Sequence, residues 1–269
     1  MRSLSLLLVL VAACDYGFEK QSHIAKLRVL AVQAEPPEVV LEPGQSAPPV
    51  HLTALAIDPS GAPLSIEYAL CDAVGLPDPA MDCPGAHGVP LSAAGPLSAQ
   101  MDLAPYASQI AQQMPASASS IPLVVGFNAV AGGEKLHGFA TLNVRTSTGR
   151  PANRNPLLDR VEVDGVALSP EGTTTVRAGA EVKLRPVPAV DAAEATDNGP
   201  ERLVFSFYST DGEMDALRTT NLSADGVALD PEVKWTAPKV AGTVQLWVVI
   251  RDGRGGVSWV ARSLQVLPE

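Results

Sequence analysis

From Leu64 to Cys71 the chain sets Leu64, Ile66, Tyr68 and Leu70 against Ser65, Glu67, Ala69 and Cys71, an alternation with a period of two. Successive side chains of an extended backbone point to opposite faces, so such a run can bury one face only as a strand. The constraint recurs along the chain. Leu27, Val29 and Ala31 alternate with Arg28, Leu30 and Val32, and strands are expected again over Val50–Ile57, Pro122–Ala129 and Leu136–Val144. Further strands are expected over Leu158–Val163, Val182–Pro186, Arg202–Tyr208, Val233–Trp235, Val244–Arg251 and Val257–Val266. Turn chemistry separates them: Asp58-Pro59-Ser60-Gly61, Ala131-Gly132-Gly133 and Asp252-Gly253-Arg254-Gly255-Gly256. With 24 prolines, 22 glycines and only 4% aromatic residues, the core has to be built from small and branched side chains on short strands. One helix is expected, where Asp102 caps a segment that places Leu103, Tyr106, Ala107 and Ile110 at helical spacing. The Pro-, Gly- and Ala-rich stretch Asp72–Gln100 reads as a long loop. Val244–Arg251 is apolar on both faces apart from Gln245 and Arg251, which predicts a central strand.

A chain of 269 residues has room for two ordinary domains. Thr146–Pro156, polar and interrupted by Gly149, Pro151 and Pro156, is the expected linker. It separates a first domain over 26–145 from a second over 157–269. Pro43-Gly44 and Ala178-Gly179 each precede the second strand of a half, and Gly133 and Gly256 each end its final hairpin turn. Val233-Lys234-Trp235-Thr236-Ala237-Pro238 through Gly242, and on from Trp247 to Gly256, resembles the last strands of bacterial immunoglobulin-like repeats of the polycystic-kidney-disease type. The resemblance covers about a third of the second half. It implies an immunoglobulin-like fold, and with the length and the helix above the expectation is an all-β protein of two tandem immunoglobulin-like β-sandwich domains with one short helix in the first; such folds host many functions.

The opening residues read as an export signal. Arg2 precedes an apolar run from Leu4 to Val11, too short for a permanent membrane span, and two alanines follow. Val11-Ala12-Ala13-Cys14 resembles the lipobox of bacterial lipoproteins. That resemblance implies a signal peptide over 1–13, acylation of Cys14, a lipid-anchored tether over 14–25, and a place in the cell envelope. An ordinary secretory signal or an N-terminal helix is the alternative. Several acyl chains hold a protein far more firmly than one, since each buried methylene contributes about 0.8 kcal/mol. Asp15 resembles the inner-membrane retention signal of enteric bacteria, and the choice of membrane stays open.

Cys71 and Cys83 remain. In an exported protein a thiol pair is expected to oxidise, and the loop between them would stabilise the domain by about 2–3 kcal/mol. A metal site is the rival, although two thiols without a histidine pair make a poor zinc ligand set. The formal net charge of -10, with no basic stripe, argues against nucleic acid as a partner.

Chemistry is sparse. His23, His51, His87 and His137 fall at no metal-binding spacing, and neither a nucleophile elbow nor a phosphate loop occurs. His51 and His137 are expected to be partly buried and hydrogen-bonded within strands. Asp191, Glu194, Asp197, Asn198 and Glu201 form an acidic cluster that is either a solvated loop or a calcium site. Trp235, Trp247 and Trp259 pack in a core, or Trp247 and Trp259 present an aromatic platform to a glycan. Asn221-Leu222-Ser223 fits a glycosylation sequon. No catalytic residue, metal or cofactor is assigned. The expected function is a non-enzymatic envelope protein that binds or scaffolds a protein partner through loops Asp72–Gln100 and Thr210–Pro231. The alternatives are carbohydrate binding or surface adhesion, and then a cryptic enzyme joining His51, His137 and an acid.

Overall fold

A computed structural model describes residues 20–42, 45–71, 88–113, 120–146, 149–170, 172–196 and 199–269. The expected signal peptide over 1–13, Cys14, Cys83, His87 and the pair Asp197-Asn198 lie outside the described residues. In the first half the strands are β1 (Arg28–Glu35), β2 (Glu38–Val40), β3 (Val50–Ile57), β4 (Leu64–Leu70), β5 (Val89–Pro90), β6 (Ser92–Gly95), β7 (Ser98–Met101), β8 (Ile121–Ala131) and β9 (Glu134–Arg145). They form two sheets, ordered β1-β3-β7-β6 and β2-β9-β8-β4-β5. The first extended segment thus changes sheets. After the cis Glu35–Pro36 bond its remainder, β2, pairs in parallel with β9 on the opposite sheet.

The second half repeats the plan with β10 (Leu158–Val163), β11 (Val166–Ala167), β12 (Thr174–Arg177), β13 (Glu181–Pro188), a small ribbon of β14 (Ala195–Thr196) and β15 (Gly199–Pro200), β16 (Val204–Ser209), β17 (Glu213–Met214), β18 (Arg218–Thr220), β19 (Val233–Thr236), β20 (Gly242–Arg251) and β21 (Val257–Leu267). Its sheets run β11-β10-β13-β19-β17 and β12-β21-β20-β16-β18, with β12 parallel to β21 as β2 is to β9. Two mainly antiparallel sheets whose strands alternate between layers in this order are the immunoglobulin arrangement, and the chain holds two such sandwiches in tandem.

Each sandwich owns a core. Leu52, Met101, Leu123, Phe127 and Val144 fill the first, and Leu184, Phe205, Phe207, Trp235 and Leu264 the second. Trp235 is fully buried, and its Nε1–H donates to the Asp211 carbonyl oxygen at 3.2 Å. This satisfies the one polar atom that the indole carries inward. The expected helix forms as a 3-10 turn, Ala104–Tyr106, that runs into α1 (Ala107–Gln113). The Asp102 carboxylate accepts from the Ala104 amide, while Leu103 and Ile110 are buried under it.

The expected loop Asp72–Gln100 is corrected over its second half. Residues 89–101 are three strands, and β7 lies between β3 and β6 as an integral part of its sheet. The alternation was present but muted, because Ala99 and Met101 point inward while Ser98 and Gln100 do not. Alanine and serine are weak strand formers, and here pairing with neighbours on both sides overrides propensity. Residues 20–24, the end of the expected tether over 14–25, lie against the second domain, as described next.

Candidate functional site at the junction of the domains

The two sandwiches meet along a surface with an apolar half and a polar half. Along β20, Val244, Leu246, Val248 and Ile250 enter the second core, and Trp247 and Val249 face the other way. That outer face is covered by Ile24, Leu30, Ala31 and Leu55 from the N-terminal segment and first domain, joined by Tyr208 and Val257. Burying an aliphatic side chain of this size contributes about 1.5–3 kcal/mol. Residues 22–24 add backbone bonds: Ser209 N–H donates to the Ser22 carbonyl at 2.9 Å, and Ile24 N–H to the Ser209 carbonyl at 2.9 Å. The two-sided apolar character of β20 therefore reflects one core and one interdomain contact.

The polar half centres on Glu38, a carboxylate 2% exposed. It pairs with Arg145 Nε at 3.2 Å and with Arg150 Nη2 at 2.7 Å, and it accepts from the Asn153 amide at 2.8 Å. Arg145, itself 1% exposed, donates through Nη2 to the Arg150 carbonyl at 2.6 Å. Asn153 Nδ2 then donates to Asp252 Oδ2 at 2.8 Å, and Asp252 Oδ1 accepts from the amides of Arg254 and Gly256. Burial pushes the Asp252 carboxyl above its ordinary pKa, against the pull of those donors. Gly256 is required here: a Cβ would lie 2.1 Å from Asp252 Oδ2. Three further bonds fasten the hairpin to the first domain. Gln33 Nε2 donates to the Val257 carbonyl, Arg251 Nη2 to the Leu30 carbonyl, and Asn143 Nδ2 to the Arg254 carbonyl. Segment 146–156, expected as a linker, thus contributes Arg150, Asn153 and Asn155 to a fixed contact. Asn155 bonds to the Ala34 carbonyl and the Val257 amide.

The acidic cluster borders the same junction. Arg254 Nη1 lies 3.1 Å from Glu194 and 2.5 Å from Glu201, and Arg154 Nε lies 2.8 Å from Glu194. The second Glu201 oxygen accepts from the Glu194 amide. Among the described residues of the cluster, guanidinium groups and one backbone amide take up the carboxylate oxygens of Glu194 and Glu201. An open cleft of about 710 Å³ beside them is lined by Arg150, Arg154, Asp191, Glu194 and Arg254, with these charges paired among themselves or with Glu38.

The remaining candidates disperse. His51 on β3 and His137 on β9 are both exposed and lie on separate sheets, not half-buried as expected; His137 Nδ1 contacts Asn128 Oδ1. Trp247 is buried and Trp259 half-buried against the junction, so the last hairpin offers no aromatic platform. Asn221 of the sequon is a structural brace, its Oδ1 accepting from the Leu203 amide. Thr210–Pro231 carries β17 and β18 and exposes Val227 and Leu229 at its tip. Cys71 is buried at the end of β4, and its expected partner is outside the described residues. No helix among the described residues is long and apolar enough to cross a membrane. Glu38 and Arg145 were not foreseen. Each is a lone charge at a strand end, and only their pairing across more than a hundred residues marks them.

No family model and no curated protein matches this chain. Among solved structures it is similar to a chimeric titin Z1Z2-Z1Z2 tandem at 12% identity and a TM-score of 0.24, covering 90% of this chain and 99% of that one. The D00-D0 domain of intimin matches at 8% identity and a TM-score of 0.28, covering 88% and 100%. The Yersinia pseudotuberculosis adhesin InvE matches at 11% identity and 0.24, covering 87% and 58%. These likenesses are too distant to argue from, and the assignment of two tandem immunoglobulin-like sandwiches stands on the strand order itself.

Proposed function

We propose that this chain is a non-enzymatic, lipid-anchored protein of the bacterial cell envelope whose two sandwiches act as one rigid binding or scaffolding module. In this reading the chain is exported, acylated at Cys14, and closed by a Cys71–Cys83 disulfide. Its domains comprise about 26–145 and 157–269, and an envelope protein is the partner. The observation that supports it most is the junction. A buried carboxylate–guanidinium network beside an apolar contact holds the two sets of loops in a fixed relation, as a module that presents a composite surface requires. Loops on a stiff scaffold are where recognition is usually placed.

The test is crosslinking of the tagged, full-length protein in intact cells. An envelope protein is expected to be recovered with the native chain and lost when the tip Ser223–Leu229 or the loop between Cys71 and Gly88 is replaced by Gly-Ser sequence. Recovery that ignores both replacements, or no recovery at all, would count against the reading.

A further inference from the structure

The N-terminal segment reaches the second domain before it reaches the first. Lys20 Nζ lies 2.9 Å from Glu213 Oε1, His23 bridges to Ser209 in parallel, and Ile24 is buried beside Trp247. Lys20 and His23 share a groove with Asp211, Gly212, Glu213 and the turn Thr236–Val240 that joins β19 to β20. From that turn β20 runs ten residues to Arg251, about 30 Å at 3.2–3.4 Å per residue. There it meets the hairpin that holds Asn153 and Asn143. The segment therefore docks at one end of the second domain, and the first domain is fastened at the other.

Resting on the proposed acylation of Cys14, we infer that the β19–β20 end of the second domain, tipped by Pro238-Lys239-Val240, faces the lipid surface, and that the hairpin end with the first domain stands away from it. The limit is chain length. Six residue steps from Cys14 to Lys20 span at most about 20–22 Å at 3.3–3.6 Å each. Since Lys20 docks at the β19–β20 end, the tether is too short to stand the second domain on its hairpin end, which would lift Lys20 about 30 Å from the bilayer. The surface fits a lipid partner in shape and polarity: Val240 is 76% exposed at the tip of a turn, and Lys239 beside it has an apolar stem and a head that reaches headgroups. Charge does not drive the approach. Lys20 is paired with Glu213, and Asp211 lines the same groove as Lys239, so the groove carries no net positive charge, the short tether sets the orientation and salt leaves it unchanged.

The test uses the full acylated protein, purified from membranes and reconstituted into phosphatidylcholine vesicles that contain a headgroup spin-labelled lipid. A fluorophore is placed at Val240→Cys or at Val190→Cys, with the background of the unsubstituted protein subtracted. Val190 is fully exposed just beyond Pro188, at the far end of β13 from its pairing with Thr236. Flotation with the vesicles reads the anchor, and quenching reads the orientation. The label at 240 should be quenched at least twice as strongly as that at 190, in low or high salt, and twenty Gly-Ser residues inserted after Cys14 should erase the difference. Flotation with equal or reversed quenching, or a preference that survives the insertion, overturns the orientation alone. Loss of flotation overturns the anchor and the orientation together.

Discussion

Replacing Glu38 with alanine isolates what the polar half of the junction contributes. The carboxylate is 2% exposed and the Arg145 side chain 1%, whereas Arg150 is 44% exposed. Removing Glu38 leaves Arg150 free to turn to water but takes the carboxylate from the buried Arg145 guanidinium and the acceptor from the Asn153 amide. Stripping one partner from a buried ion pair costs about 3–5 kcal/mol. For a protein of this size, at roughly 2–4 °C per kcal/mol, the melting temperature should fall by about 6–20 °C. Arg150→Ala removes a largely solvated partner and should cost about 1 kcal/mol or less. Glu38→Gln should fall between the two, because it keeps an acceptor for Asn153. Differential scanning fluorimetry of residues 20–269 reads all three. A shift below about 3 °C for Glu38→Ala, or an equal loss for Arg150→Ala, would show that the network does not hold the domains.

Asp252 gives a pH signature. Its folded pKa is raised, so the protonated form is favoured in the fold, and the native protein gains stability from this group as pH falls through that pKa toward the ordinary 3.8. The melting-temperature difference between native protein and Asp252→Asn should move in favour of the native protein on acidification from pH 7 to 4, and a flat or opposite trend would contradict the assignment. Gly212→Ala would drive a Cβ to 2.4 Å from Trp235 Nε1 at φ +82°, whereas Gly253→Ala meets nothing within 4 Å at φ +77°. Thermal melting should place Gly212→Ala well below Gly253→Ala, whose cost is the backbone alone, about 1–2 kcal/mol. The proposed Cys71–Cys83 bridge predicts that alkylation in denaturant labels both residues only after reduction, read by peptide mass spectrometry; labelling without reductant removes the bridge.

Much of the sandwich architecture was legible because large apolar side chains announce a period of two. The strands carrying Ile66 and Tyr68, Phe205 and Phe207, or Leu246 and Val248 could be read directly. Strands β2, β7 and β12 could not. They are three or four residues long and written partly in Ala, Ser, Thr or charged residues, and their pairing with distant strands decides them. The junction was least legible. Trp247 and Val249 look like half of a core strand until Ile24 and Leu55 cover them, and Glu38 and Arg145 have no local pattern that foretells a partner. Asp191, Glu194 and Glu201 were visible as a cluster, but oxygen donors in a loop read alike whether a metal or an arginine answers them.

Because Leu30, Ala31 and Leu55 close against Trp247, Val249 and Val257, neither half finishes its own surface. A ribosome delivers the first half complete in its core yet with a greasy flank, and that flank waits for strands synthesised about two hundred residues later. Proteolytic or engineered fragments cut between the halves inherit the same bare flank, and self-association is its natural outlet.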